Sequence, residues 1–224
     1  MPKPSFPGSP GSDADPVSKA PAEAAAPSIA NVSRPLRDDL RRRLLADRAA
    51  FAGTAGFGEA ERRIQALLRV WLERLEPTTL GLYWPVRGEF SAGVRPFAPC
   101  WPAGTPLALP AACRPLPDGT PARMAYHRFR GPWAPRRDEY GLPTADGPVC
   151  EPDVLLVPCV GFTAEGHRLG YGGGFFDRYR AAHPGVTALG VAWSGSRLAP
   201  GEFEAEPHDQ PLDLVVTEDG VLGG

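Results

Sequence analysis

The stretch DVLLVPCVGFTAEGHRLGYGGGFFDRY, Asp153 to Tyr179, decides how this chain folds and where its chemistry sits. Its first eight residues, Asp153 to Val160, are almost continuously apolar, which predicts a strand covered on both faces of a sheet. A turn follows, then a glycine-dense loop entered through Arg168, then a helix opening on Asp177. Strand, glycine loop and helix start in that order allow backbone N–H groups to converge on phosphate oxygens. Glycine tolerates positive φ and leaves no side chain in the way. The chain is therefore expected to handle a phosphorylated ligand.

The loop is not one of the common phosphate signatures. Gly170, Gly172, Gly173 and Gly174 fail the dinucleotide fingerprint, because Phe175 stands where its third glycine should fall. No Gly-Lys-Ser/Thr ending exists either, which excludes the usual P-loop. Asp177 reads in two ways. As an acid in a first helical turn it gains roughly 0.3–1 kcal/mol from the helix dipole. Beside a phosphate in the same cradle it would instead need a cation, and Mg2+ held by one or two carboxylates plus phosphates is the common arrangement. Arg168 points into the glycine run and is the better phosphate ligand of the two flanking arginines, Arg168 and Arg178.

Composition bounds the alternatives. With 224 residues and 42% hydrophobic content, the chain can bury one sizeable core. A net charge of -2 gives no broad basic field for duplex nucleic acid. Cys100, Cys113, Cys150 and Cys159 form no C-x-x-C pair, so they read as buried thiols in a reducing compartment. Residues 1–32 are dominated by Pro, Ala, Ser and Gly and are read as a disordered tail, with one α/β domain over 33–224. No apolar run reaches membrane-spanning length, and the expectation is a soluble, cytoplasmic protein.

Outward from the glycine loop, the hydrophobic period sets the elements. Leu36, Leu40 and Leu44 predict the buried face of a first helix starting near Ser33, with Arg34, Arg37, Arg41, Arg42 and Arg43 on the opposite surface, more basic than solubility needs on so short a stretch. A second helix is expected over Glu59 to Leu75 from Ile64, Leu67, Leu68, Trp71, Leu72 and Leu75. Six strands are expected within TLGLYWPV, PLALPA, ARMAYHRF, DVLLVPCV, VTALGVAW and LDLVVTE, with a further helix around Ser91 to Ala98. Interleaved helices and strands favour a layered α/β fold. The Pro-rich stretch from Gly131 to Pro152 reads as a long irregular connection able to serve as a lid.

At this point the chain resembles the 5-formyltetrahydrofolate cyclo-ligases, also called 5,10-methenyltetrahydrofolate synthetases. The resemblance rests on VPCVGFTAEGHRLGYGGGFFDRY and EPHDQPLDLVVTE, with support from YWPVRGE and the early RPLR segment. It implies an α/β, three-layer α/β/α sandwich in a single domain, of the type shared with glucosamine-6-phosphate deaminase, ribose-phosphate isomerase and CoA-transferases. It also implies an ATP- and Mg2+-dependent ring closure of 5-formyltetrahydrofolate to 5,10-methenyltetrahydrofolate with release of ADP and phosphate. The partners it implies are that folate and ATP, with a monomer binding neither nucleic acid nor membrane.

Carried over by motif, the resemblance places ATP on Arg34, Arg37, Arg168, Leu169, Gly170, Tyr171, Gly172, Gly173, Gly174, Phe175 and Phe176. The folate falls on Trp84, Glu89, Tyr171, Gly172, Gly173, Gly174 and Phe175. Mg2+ falls on Asp177 and Asp213, with Arg168, Tyr171 and Asp177 closest to the chemistry. On the residues alone, Trp84 reads as core, Glu89 as surface and Asp213 as a strand-edge acid. A carboxylate does suit the amidine-like donor edge of a pterin, and a flat ring stacks on an aromatic face. Departures from the family pattern are Ser33 in place of lysine, Thr144-Ala145 in place of a Glu-Pro pair, and Ser196 near a usual glutamine. Two other readings compete: a non-catalytic folate- or nucleic-acid-binding relative, and a sugar-phosphate isomerase or CoA-transferase on the same fold.

Overall fold

The computed structural model describes residues 29–91, 100–130 and 136–223, with side chains from Leu36 onward. Residues 1–28 of the expected tail and almost all of the expected helix around Ser91 to Ala98 lie outside these. Helix α1 spans Ile29–Ala52 and α2 Phe57–Leu75. The first helix therefore begins four residues before Ser33, inside the stretch read as tail.

The strands follow in chain order. β1 is Leu80–Gly81, β2 Leu107–Cys113 and β3 Arg123–Phe129. β4 is Arg136–Arg137, β5 Pro143–Thr144 and β6 Val149–Cys150. β7 is Val154–Pro158, β8 Gly161–Phe162 and β9 Arg168–Leu169. Helix α3, Phe175–Ala182, precedes β10 (Thr187–Val191), β11 (Leu214–Thr217) and β12 (Gly220–Gly223). All six expected strands are present, although TLGLYWPV pairs only through Leu80 and Gly81.

Eight strands form one sheet in the order β12-β11-β10-β7-β1-β2-β3-β6. Its centre, β11 through β2, is parallel, and antiparallel pairs close both edges. Alternation along β7 shows why that strand is apolar throughout. Val154 and Leu156 join the cluster under α2, whereas Leu155 and Val157 face the cluster containing Tyr179 of α3. With α2 on one face and α3 on the other, the molecule is the expected three-layer α/β/α sandwich.

Helix α2 is driven onto the sheet by Ala60, Ile64, Leu68 and Leu72, spaced by four and buried. Full burial of each large aliphatic side chain contributes about 1.5–3 kcal/mol. Helix α1 keeps part of its expected face. Leu44 is buried against Val160, Leu169 and Leu198 and Leu40 packs beside it half-buried, but Leu36 is 62% exposed. The side facing the protein carries Arg37, Arg41, Leu44 and Arg48, whose steps of four, three and four form a single helical stripe.

The connection read as irregular is more ordered than expected. β4 and β5 make a hairpin whose tip is fixed by Asp138, which accepts from the N–H groups of Tyr140 and Leu142 at 2.9 Å each. β6 then pairs with β3 at the sheet edge. Tyr140 rests edge-on against Phe175 at 5.4 Å between ring centres, so the hairpin leans on the start of α3.

Candidate active site

The β8–β9 hairpin delivers the chain into the glycine loop, and α3 begins at Phe175 on Gly174 instead of at Asp177. Asp177 lies in its first turn. Gly172 and Gly174 adopt φ of +91° and +61°, a conformation that side chains with a Cβ resist. Both kinks turn the loop back over the C-terminal end of the central parallel strands, where ligands bind in open α/β sheets.

Arginines from three directions surround this loop. Arg168 is 8% exposed, donates from Nη2 to Asp177 Oδ2 at 2.7 Å, and lies over the Phe176 ring. Arg41 of α1 donates from Nε to the Gly170 carbonyl at 2.8 Å. Arg178 donates to the Gly173 carbonyl at 2.8 Å and covers Phe175. Arg180 donates to the Gln210 carbonyl at 2.9 Å. The Nε atoms of Arg48, Arg168 and Arg180 are buried without a hydrogen-bond partner, a costly condition that suits a ligand-binding site better than a finished core.

At the other end of the loop stands a carboxylate. The turn Val86 to Glu89, with Arg87 and Gly88 at φ of +50° and +74°, follows β1 and returns Glu89 toward the loop. Glu89 is 8% exposed, against its reading as a surface residue. Its Oε1 accepts from the Tyr171 hydroxyl at 2.7 Å and its Oε2 from Val86 N–H at 2.9 Å. Burial pushes the Glu89 carboxyl above its usual range, and the Val86, Tyr171, Arg48 and Arg87 contacts offset only part of that. Burial, followed by the neighbouring Glu89 charge, also drives the Tyr171 hydroxyl well up, so Tyr171 stays a neutral donor.

The expected residues are thus partly gathered. Arg168, Leu169, Gly170, Tyr171, Gly172, Gly173, Gly174, Phe175 and Phe176 run without a break from β9 through the loop into α3, with Glu89 bound to Tyr171. Trp84 is half-buried against the α2 core, close to its reading from residues alone. Arg37 is held by the C-terminal segment: it donates to Asp209 Oδ2 at 2.8 Å and to the Glu204 carbonyl at 2.7 Å, over the Phe203 ring. The side chain of Arg34 lies outside the described residues. Asp213 accepts from Ala188 N–H at 2.7 Å and lies 3.7 Å from Arg180, the geometry of a strand-edge acid. Among the described residues no three His, Cys, Asp or Glu side chains group to hold a metal.

Three site residues carry no local sequence signal that marks them. Arg48 falls four positions after the buried Leu44 on the inward stripe of α1. Arg41 lies on that stripe and not on the opposite surface. Asp209, within EPHDQPLDLVVTE, is the partner of Arg37. Of the family departures, Thr144 is fully buried and Ser196 is buried with its hydroxyl on the Trp193 carbonyl at 2.7 Å.

A layered α/β fold with an arginine-ringed glycine loop at the carboxyl ends of its strands is the framework of an enzyme, and the loop is its candidate site for an anionic ligand. Residues 34–218 match the model of the 5-formyltetrahydrofolate cyclo-ligase family, and the chain belongs to that family. It is 31% identical over 189 residues to a 5-formyltetrahydrofolate cyclo-ligase of Mycolicibacterium smegmatis, covering 81% of this chain and 93% of that one. A cyclo-ligase of Haemophilus influenzae is 30% identical over 158 residues, covering 65% and 79%. In structure the chain is similar to a 5,10-methenyltetrahydrofolate synthetase of Mycoplasma pneumoniae, with a TM-score of 0.61 at 20% identity over 81% of this chain and 98% of the other. An Aquifex aeolicus 5,10-methenyltetrahydrofolate synthetase gives 0.59 at 24% identity over 84% and 92%. Both likenesses support the fold.

Proposed function

We propose that this chain closes 5-formyltetrahydrofolate to 5,10-methenyltetrahydrofolate at the expense of ATP. The observation that carries this reading is the glycine loop itself, which joins the arginine cluster to Glu89 through one residue, Tyr171. A formamide carbonyl is a poor electrophile and its oxygen a poor leaving group. Transfer of the ATP γ-phosphoryl group to the formyl oxygen corrects both, releasing ADP. N10 then attacks the activated carbon, the ring closes, the N10 proton is lost to solvent and phosphate leaves.

The protein's part is positioning and charge stabilisation. In this reading the N–H groups between Gly170 and Phe176, with Arg168 and Arg41, hold the phosphates. Arg37 fastens α1, and Arg34 precedes it on that helix. Glu89 takes the donor edge of the pterin, and Trp84 supplies an aromatic wall. Tyr171 stands between the folate and the phosphates.

The donor set also fits Mg2+. Asp177 offers a carboxylate in a positively charged surrounding, and Asp213 keeps Oδ1 beside its Ala188 bond. Two carboxylates plus phosphate oxygens match the preference of this ion, which needs no all-protein cage. When bound, Mg2+ would neutralise charge on the transferring phosphoryl group. Among the described residues no helix is long and apolar enough to cross a membrane. A monomer working in the cytoplasm, without nucleic acid, completes the reading.

The test is direct. Purified protein mixed with 5-formyltetrahydrofolate, Mg2+ and ATP should generate the methenyl chromophore with one ADP per turnover. Absence of product above a no-ATP control would refute the reading.

A further inference from the structure

Arg48 is the most deeply buried cation near the loop, with its side chain 2% exposed. From α1 its Nη2 donates to the Cys159 carbonyl at the end of β7. Its Nη1 donates to the Tyr171 hydroxyl at 3.1 Å and lies 3.6 Å from Glu89 Oε1. The Tyr171 hydroxyl therefore accepts from Arg48 while donating to Glu89. Helix α1, the end of β7, the glycine loop and the turn after β1 meet in this one guanidinium.

A buried ion pair of this kind is a poor way to gain stability, since taking both charges out of water offsets most of their attraction. What it does supply is orientation. A carboxylate has about four lone-pair directions, and Tyr171 and Val86 N–H use one on each oxygen. One acceptor position stays free on each oxygen, the pattern needed to receive two parallel N–H donors. Without Arg48, the Tyr171 hydroxyl could rotate away and Glu89 would lose its nearest counter-charge.

We propose that Arg48 is a positioning residue for the folate, locking the Tyr171 hydroxyl and the Glu89 carboxylate in the orientation that accepts the pterin donor edge. The inference rests on the reading of Glu89 as a folate ligand. It assigns Arg48 no contact with either substrate.

Arg48→Gln should raise the folate KM and the folate Kd, measured by titration calorimetry, about tenfold or more, as expected for loss of hydrogen bonds to a charged group. The ATP KM should stay within about twofold, and Arg48→Lys should recover part of the loss through its retained charge. A folded Arg48→Gln protein, judged by circular dichroism, with unchanged folate Kd overturns the proposal, as does an equal rise in both KM values. Should Arg48→Gln not fold, Tyr171→Phe removes only the bridging hydroxyl. It should weaken folate binding severalfold and spare ATP, and unchanged folate Kd there also overturns the proposal. Glu89→Gln separates the two ideas. If it weakens folate binding while Arg48→Gln does not, only the role of Arg48 falls. If Glu89→Gln has no effect, the folate reading and this inference fail together.

Discussion

Arg168 and Asp177, nine positions apart, are joined by a 2.7 Å hydrogen bond that ties the strand before the glycine loop to the helix after it. The bond gives Asp177 a structural duty beside its proposed role toward Mg2+. Asp177→Asn keeps an acceptor for Arg168 but removes the charge. Turnover is expected to fall at least about 100-fold, the scale of losing one electrostatic stabiliser of a transition state. Secondary structure by circular dichroism should be preserved, and the Mg2+ concentration for half-maximal activity should rise. Near-normal activity would remove Asp177 from the metal.

Gly172 tests the loop backbone. At φ +91°, a Cβ is strained and would sit 3.4 Å from Arg41 Cζ. Gly172→Ala should cost roughly 1–2 kcal/mol in the native loop. If the N–H groups hold phosphate, that cost falls on ATP, with KM rising about tenfold. Gly172→Asn, which accepts the left-handed region more readily, should lose less. Equal kinetics for both variants and the unaltered protein would show that the loop geometry does not bind phosphate.

Much of this arrangement was legible in the sequence, for identifiable reasons. The unbroken apolar run of β7 marks a strand buried on both faces, and four glycines in five positions mark a loop that must kink. On α1 the apolar period finds Leu44 with Leu40 packed beside it, but Leu36 is exposed, and the inward stripe also runs through Arg37, Arg41 and Arg48. Arg48 is buried and Arg37 and Arg41 are partly buried because Asp209, the Gly170 carbonyl, Tyr171 and Glu89 receive them, and those partners lie more than forty positions away. The same blindness made Glu89 look exposed. Local patterns report the hydrophobic faces of elements, not the pairing of charges across the fold.

Glu89 gives a pH signature with opposite signs for stability and binding. Its folded pKa is raised by burial. The linked stability is fully present below the unfolded pKa and is lost as pH rises through the raised folded value. Glu89→Gln does not titrate, so its melting temperature relative to the unaltered protein should increase as pH goes from 4 to 7. Folate affinity should move the other way, weakening in the unaltered protein as pH falls toward the raised pKa, because only the carboxylate accepts two donors. Parallel melting curves across this range would contradict the shift.

The Arg37–Asp209 pair is nearly buried, with side chains 13% and 10% exposed. Partial burial pushes the Asp209 carboxyl up, but the hydrogen bond from Arg37, the Glu206 N–H and the Arg37 charge outweigh it, and the net shift is down. Its stabilisation is therefore present above the unfolded pKa of about 4 and is lost as pH falls through the lower folded value. Asp209→Ala leaves Arg37 only Glu206, 3.5 Å away, and the Glu204 carbonyl, and should destabilise by about 1–2 kcal/mol at pH 7 in urea unfolding. The difference should shrink in strong acid. If Arg37 also serves ATP, the variant's ATP KM rises with little change for folate.

Residues 1–28 give the last test. Their Pro, Ala, Ser and Gly content offers little apolar surface to bury, so they should add nothing to the core. Among the described side chains, the first tied to the site is Arg37, eight residues after Ile29, which leaves two helical turns between the deletion and that contact. A chain starting at Ile29 should keep kcat and both KM values within about twofold and melt within a few degrees of the full chain. A large rise in the ATP KM alone would show that the N-terminal segment reaches the phosphates, and α1 would then have to be regarded as the second half of a longer binding element.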